Sequence, residues 1–183
     1  MLKRVLLIGI FLGVLSGCVG VDPQGRGYSI ALPMNIVNAT LAEKFPVDQP
    51  LKYGIVSGNL NISNPTILGQ SGSDKLAVGT AFKFTNFLIP NGISGEINLA
   101  SGIKYNPTTK NLYLKNPMVN EVKFQDESFI SKLPEGIKGA IGTVIAETIA
   151  KKPIYNIEKS IPASGFVKGI DVRNGQIYLT FGL

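Results

Sequence analysis

Residues 76–85 read LAVGTAFKFT, and this stretch decides the fold class. Apolar side chains alternate along it with small or polar ones, so two sets of residues point in opposite directions. One set is Leu76, Val78, Thr80, Phe82 and Phe84, and the other is Ala77, Gly79, Ala81, Lys83 and Thr85. Alternation with a period of two predicts a β-strand that has one buried face and one solvated face.

The alternation continues on both sides of this stretch. Before it, apolar residues at Val56, Leu60 and Ile62 alternate with polar residues or glycine. After it, two segments repeat the pattern around a turn at residues 106–111, with apolar positions at Ile93, Ile97, Leu99, Ile103 and Tyr105, then at Leu112, Leu114, Met118, Val122 and Phe124. We expect antiparallel strands of about 11–14 residues, and therefore a long, strongly curved sheet of about six strands.

Two segments show helical spacing instead. A short amphipathic helix is predicted after Pro33, a residue suited to the first turn, from the spacing of Met34, Val37, Leu41 and Phe45. A second helix is predicted over residues 134–152, where Pro134 opens it and Lys151-Lys152-Pro153 closes it. The result is an α+β domain in which the curved sheet wraps around this helix of the C-terminal half.

The predicted second helix carries two stripes. The apolar stripe consists of Ile137, Ile141, Val144, Ile145, Thr148 and Ile149, and the other consists of Gly136, Gly139 and Gly142. Each glycine inside a helix costs about 1 kcal/mol relative to alanine. Three of them therefore indicate that a sheet, a helix or a ligand approaches the backbone closely.

The two ends of the domain are predicted to be β-structure. Tyr28–Ala31 reads as a short strand. Asn174-Gly175 separates two alternating segments near the C-terminus, and this dipeptide is a strong signal for a two-residue hairpin. The predicted domain therefore covers residues 28–183.

The N-terminus has the layout of an export signal. Lys3 and Arg4 precede the apolar run Val5–Leu15, which is too short for a membrane span of about 20 residues. Leu15-Ser16-Gly17-Cys18 then resembles the bacterial lipobox, in which the cysteine is acylated, with palmitate among the expected chains, and becomes the mature N-terminus. We expect residues 1–17 to be a lipoprotein signal peptide and Cys18 to be the lipidation site. An ordinary signal peptide with a nearby cysteine is the alternative.

The residues after Cys18 are predicted to be a lipidated flexible tether over 18–27, because three glycines and a proline disfavour a helix or strand. Val19 stands where an aspartate would mark retention at the inner membrane. By resemblance to that sorting rule, we expect a lipid anchor in the outer membrane, with the domain facing the periplasm.

The composition argues against several function classes. The chain has no histidine and a single cysteine, so the usual metal ligands and nucleophile–base pairs are missing from the sequence. Asp126-Glu127 are adjacent carboxylates, which reads as a solvated loop. Removing Lys3 and Arg4 lowers the formal net charge from +6 to +4, and the remaining lysines are scattered. We expect no enzyme activity, no cofactor, no metal and no nucleic-acid partner.

Two segments carry a family resemblance. The sequence KKPIYNI at Lys151–Ile157 and the sequence KGIDVRNGQIYL at Lys168–Leu179 resemble the YceB-like bacterial lipoproteins, a domain of unknown function. That family is considered similar in fold to the tubular lipid-binding (BPI/SMP-like) superfamily. The resemblance implies an antiparallel sheet curled around a long helix, with a lipid held between them.

The resemblance implies a function of lipid or fatty-acid binding or transfer in a groove between sheet and helix. The expected apolar lining is Leu76, Val78, Phe82, Phe84, Ile97, Leu99, Leu112, Leu114, Ile137, Ile141, Val144 and Ile145. The same pattern fills a solid core equally well. A ligand-free structural or chaperone-like envelope lipoprotein is therefore the alternative, and the protein partner is unknown.

The layout from Lys3 to Cys18 predicts cleavage after Gly17 and acylation of Cys18. The intact mass of protein extracted from membranes should equal that of residues 18–183 plus the acyl groups. Cys18→Ala should leave the precursor unprocessed by lipoprotein signal peptidase. A mature chain that starts elsewhere, or that lacks lipid mass, would contradict the anchor.

Overall fold

The fold was analysed in a computed structural model of the chain. It describes residues 19–21, 25, 27–126, 134, 136–158 and 167–182. The predicted signal peptide and Cys18 lie outside the described residues, and so does Glu127. Among the described residues, no helix is both long enough and apolar enough to cross a membrane.

The described residues form two helices and ten strands. The helices are α1 (Met34–Ala42) and α2 (Ile137–Ala150). The strands are β1 (Val19–Val21), β2 (Tyr28–Ala31), β3 (Val47–Tyr53), β4 (Val56–Gly69), β5 (Leu76–Asn86), β6 (Ile93–Asn106), β7 (Asn111–Phe124), β8 (Pro153–Asn156), β9 (Val167–Arg173) and β10 (Gln176–Phe181). Every pairing between them is antiparallel, which confirms the α+β class.

The strands divide into two sheets within the described part of the chain, so the expectation of one sheet is wrong. The large sheet has the order β3-β4-β5-β6-β7-β8, and the small sheet has the order β1-β2-β10-β9. The short strand β8 follows α2 after two residues and takes the free edge of β7. The C-terminal hairpin therefore pairs with β2 instead, which joins the two ends of the chain.

The register predicted from the alternation is confirmed. Leu76, Val78, Phe82 and Phe84 are buried in one continuous core, as are their partners on β6 and β7. Lys83 and Glu96 are exposed on the other face, while Lys104, which is also exposed, borders the space beside helix α2. A slip of one residue would have exchanged the two faces, since the side-chain period of a strand is two.

Helix α2 lies on the buried face of the large sheet. It packs mainly against β7 and also approaches β3, four positions away in the strand order. Its buried residues are Ile137, Ile141, Gly142, Ile145, Ala146, Thr148 and Ile149, which includes most of the predicted apolar stripe. A Cβ added at Gly142 would lie 3.0 Å from Val119 Cγ2 and 3.6 Å from Ile97 Cδ1. Close packing of helix on sheet is therefore centred on this glycine.

The other two glycines of the stripe behave differently. Gly136 precedes the helix with a φ of 88°, and a Cβ there would lie 2.1 Å from Tyr53 Oη. Gly139 has no atom within 4 Å of such a Cβ. Close approach is thus confirmed at Gly136 and Gly142 and is wrong at Gly139, which faces open space.

Strand β7 contains two bulges that the alternation did not predict. The pairing with β6 shifts between Asn98 and Leu99, and again between Ala100 and Gly102. Each shift adds one residue on β7 and inverts the side-chain direction from that point on. Between the bulges Met118 is 60% exposed, which corrects its expected burial, while Val119 turns towards α2. After the second inversion Phe124 is buried again, as expected.

The Asn174-Gly175 turn is confirmed and connects the two sheets. Both residues have positive φ, 52° and 74°, as the tight hairpin turn requires. The backbone N–H of Gly175 donates to the carbonyl of Ser73 at 2.8 Å, and a Cβ at Gly175 would lie 2.3 Å from the nitrogen of Gln70. The hairpin turn therefore packs against the turn between β4 and β5.

Part of the predicted tether is ordered as a strand. Val19–Val21 pairs with Tyr28–Ile30 at the edge of the small sheet. The expectation that residues 19–27 contain no strand is wrong for these three residues, because β2 offers them a free edge.

The glycine contacts predict opposite effects for two substitutions in α2. Gly139→Ala should stabilise the protein by up to about 1 kcal/mol, because alanine has the higher helix propensity and the site is open. Gly142→Ala should lack this gain, since its new methyl group presses on Val119. Urea denaturation measures both free energies of unfolding.

A Val119→Ala background serves as the control. Gly142→Ala should recover its favourable effect there, because the obstructing methyl groups are gone. Equal stabilisation by Gly139→Ala and Gly142→Ala in the original chain would contradict the proposed contact.

Candidate functional site: a cleft beside helix α2

The residues predicted to line a ligand groove form the interior of the domain. Eleven of these twelve residues expose at most 2% of their surface, and the twelfth, Val144, is half-buried against them. Those eleven are Leu76, Val78, Phe82, Phe84, Ile97, Leu99, Leu112, Leu114, Ile137, Ile141 and Ile145. Such closely packed side chains contact one another here, as in a normal protein core. Their role as a ligand lining stays a prediction.

The space between α2 and the sheet lies to one side of this core. Two cavities of about 550 and 470 Å³ adjoin there and share Lys104 and Ala150; together they are called the helix cleft. Each volume falls within the range of about 300–1,000 Å³ that is usual for small-molecule sites. The helix cleft is lined by Lys104, Tyr105, Asn106, Pro107, Tyr113, Leu114, Asn116, Pro117, Val119, Thr143, Ala146, Glu147, Ala150 and Lys151.

The bulges of β7 shape the smaller of the two cavities. Asn116 has a φ of 47°, and Pro117 follows it at the first bulge. A bulge bends its strand and increases the local twist. On the helix side the wall includes the small residues Ala146 and Ala150, at i and i+4, together with Thr143 and Glu147. A bent strand opposite small side chains leaves room that a regular strand would fill.

The helix cleft combines an apolar wall with charged groups. Leu114, Pro117 and Val119 face Ala146 across the smaller cavity. Lys104 stands where the two cavities meet, with its Nζ 5.8 Å from the centre of the Tyr113 ring. Lys151 lies near Glu147, with Nζ 4.0 Å from Oε2. An apolar surface beside an ammonium group suits an amphiphile.

A further cavity among the described residues suits an apolar ligand less well. A cavity of about 460 Å³ lies between α1 and β8, and its lining includes Glu43, Lys44, Asn111 and Asn156. These polar walls suit water better than an apolar ligand.

Two surface carboxyl groups are shifted in the same direction. Hydrogen bonds from Asn61 and Asn59 lower the pKa of Asp48. The neighbouring Lys123 does the same for the pKa of Glu121. Both groups favour the charged form, whereas a general acid needs a raised pKa.

Metal-binding potential was assessed for the same part of the chain. Among the described residues, no group of three or more cysteine, aspartate or glutamate side chains lies close enough to hold a metal ion. The pair Asp126-Glu127 falls only partly within the described residues, which include Asp126.

The fold and cleft define an α+β domain made of two antiparallel sheets and a covering helix. Residues 35–176 match the family model described as Protein of unknown function (DUF1439). The match covers most of the chain, from α1 to the start of β10, so the protein belongs to this family. No curated protein matches the chain.

Most residues of the helix cleft were not predicted from the sequence. Of the predicted lining, only Leu114 borders it. A signal was present nonetheless, because Asn116-Pro117 interrupts the alternation between Leu114 and Val122. Proline within a strand pattern indicates a bulge or an edge. Asn116-Pro117 is therefore a sequence signal for the irregular segment that borders the helix cleft.

Proposed function

We propose that the protein is a lipid-anchored bacterial envelope protein that binds the apolar tail of a lipid or fatty acid in the helix cleft. The observation that carries this proposal is the wall of Pro117, Val119 and Ala146 beside Lys104. The role is binding or transfer rather than catalysis. The anchor is the acylated Cys18, in the outer membrane and facing the periplasm.

The chemistry of the ligand follows from the two parts of the cleft. Burial of an apolar tail against the wall contributes roughly 25 cal/mol per Å² before the entropic costs of binding. Lys104 is exposed at the junction of the cavities, where its ammonium group can pair with a carboxylate or phosphate. A single-chain fatty acid therefore fits both features.

A curled sheet is part of the same proposal. Helix α2 approaches both β3 and β7, and a Cβ at Gly136 would touch Tyr53 at the end of β3. These contacts support a sheet that curves around the helix, as the tubular lipid-binding resemblance implies. The cleft is then the place where this curve leaves the helix uncovered.

A ligand-free structural or chaperone-like role is the second candidate. The packed interior favours it, because eleven of the twelve side chains expected to line a tube expose at most 2% of their surface. The two candidates differ in what the helix cleft holds, so a binding measurement separates them.

Ala150→Trp is predicted to block binding without disturbing the fold. Ala150 ends α2, is half-buried and borders both cavities, so an indole there fills the cleft from its rim. The fatty-acid affinity of the chain beginning at Val19, measured by displacement of a fluorescent fatty acid, should fall by at least about tenfold. This corresponds to a loss of about 1.4 kcal/mol of binding free energy. The midpoint of urea unfolding should stay close to that of the original chain.

Ala39→Trp is the matched control. Ala39 is exposed on α1 and borders neither cavity of the helix cleft, so its substitution should leave displacement unchanged. If the original chain displaces no probe and carries no lipid in native mass spectrometry, the ligand-free role becomes the better account.

A further inference from the structure

Three large apolar side chains protrude from one end of the large sheet. Ile55 is fully exposed, Phe87 is 93% exposed and Leu88 is 78% exposed. Ile55 lies in the turn between β3 and β4, and the other two lie in the turn between β5 and β6. These three residues are called the apolar tip. Burial of such side chains is the normal outcome, so their joint exposure needs a partner.

The strand pairing brings the two turns together. Asn86, the last residue of β5, pairs with Gly58, three residues after Ile55. A Cβ at Gly58 would lie 2.3 Å from the carbonyl oxygen of Thr85, which shows how closely the two strands approach here. The turns are therefore neighbours at the same end of the sheet, and their side chains form one patch.

The turn between β5 and β6 is held in a defined shape. The backbone N–H of Ile89 donates to Asn86 Oδ1 at 2.8 Å, and that of Gly92 donates to the carbonyl of Ile89 at 3.0 Å. Ile89, in the same turn, packs onto the core, whereas Phe87 and Leu88 remain exposed. These hydrogen bonds define the shape of the turn, and in this shape Phe87 and Leu88 are exposed.

Three lysines lie at the end of the large sheet that carries the apolar tip. Lys52 pairs with Ser57 across the first turn, and a Cβ at Gly92 would lie 2.6 Å from Lys83 Cε in the second. Lys138 lies at the start of α2, with Nζ 5.8 Å from the centre of the Phe124 ring. Asp126, which has interactions of its own, also follows β7 at this end. The strands next to the protruding apolar group thus carry Lys52 and Lys83, with Glu96 and Asp126 as the described acidic residues at this end.

We infer that the apolar tip inserts into an anionic lipid bilayer. Protruding aromatic and aliphatic side chains enter the boundary between headgroups and acyl chains, and lysines beside them attract anionic headgroups. The convex shape fits a deformable bilayer better than a rigid pocket of a protein. This inference rests on the tip alone and holds whether or not the helix cleft binds a ligand.

The tip lies far from the predicted anchor. The turn between β9 and β10 touches the opposite end of β4, and the small sheet that carries β1 lies there. A strand of the length of β4 spans about 45 Å. A molecule anchored at the other end therefore brings the tip to its own bilayer only when it lies flat along the membrane. When it stands upright, the tip faces a second bilayer.

A tryptophan reporter tests the inference, because the chain contains no tryptophan. The full chain with Phe87→Trp, recovered from cells, is mixed with vesicles of phosphatidylglycerol and phosphatidylcholine. Its emission should shift to shorter wavelength and be quenched by brominated acyl chains. Brominated lipid placed either in the vesicles that carry the protein or in a second population shows which bilayer is entered.

The two reporters are compared in the chain that begins at Val19, which lacks the predicted anchor. Leu68→Trp is the matched control, since Leu68 is 58% exposed near the other end of β4. Its emission should not change with vesicles. Combining Lys52→Glu and Lys83→Glu with Phe87→Trp should raise the half-saturating lipid concentration by about tenfold. Equal emission of both reporters with and without vesicles would overturn the inference, as would a shift that depends on protein concentration alone, which indicates a second copy.

Discussion

Burial of the isoleucines of helix α2 holds this helix against the large sheet, and Gly142 lets helix and sheet approach closely at Val119. The buried face of β4 to β7 is apolar along its length. Helix α2 covers part of it and α1 packs against β4, and the missing side chain at Gly142 lets Val119 and Ile97 reach the backbone of α2. A larger residue there would lift the helix from the sheet and expose the isoleucines beneath it. The cost of one glycine in the helix is small beside the burial of those side chains.

Much of the fold was predictable because the large sheet has one solvated face and one buried face. The alternation from Leu76 to Phe84 fixed the register, and Asn174-Gly175 fixed the closing hairpin, since both signals are local. Strand β3 was missed because Pro50 interrupts its pattern, although proline is acceptable on an edge strand such as this one. The separation into two sheets was also missed. It depends on which strand occupies the edge of β7, and no local pattern encodes that choice.

The candidate site was less predictable than the fold for a related reason. A strand pattern shows which side chains face inward, but a packed core and a ligand tube have the same pattern. The interior of this domain is packed, and the space lies instead where two bulges disturb β7 beside small residues of α2. Each bulge inverts the pattern, so the pair leaves the flanking residues in phase. Leu114 and Phe124 therefore read as one regular strand, and the irregular part between them holds much of the wall of the helix cleft.

The central claim is that an apolar ligand occupies the helix cleft rather than the interior. Methyl NMR of the domain with a bound fatty acid tests this most directly, because it reports which methyl groups touch the acyl chain. The account predicts intermolecular Overhauser effects to Leu114, Val119, Ala146 and Ala150, which line the cleft. Effects to Ile141 and Ile145 instead would place the chain in the interior and contradict the account, and so would the absence of any effect at saturating fatty acid.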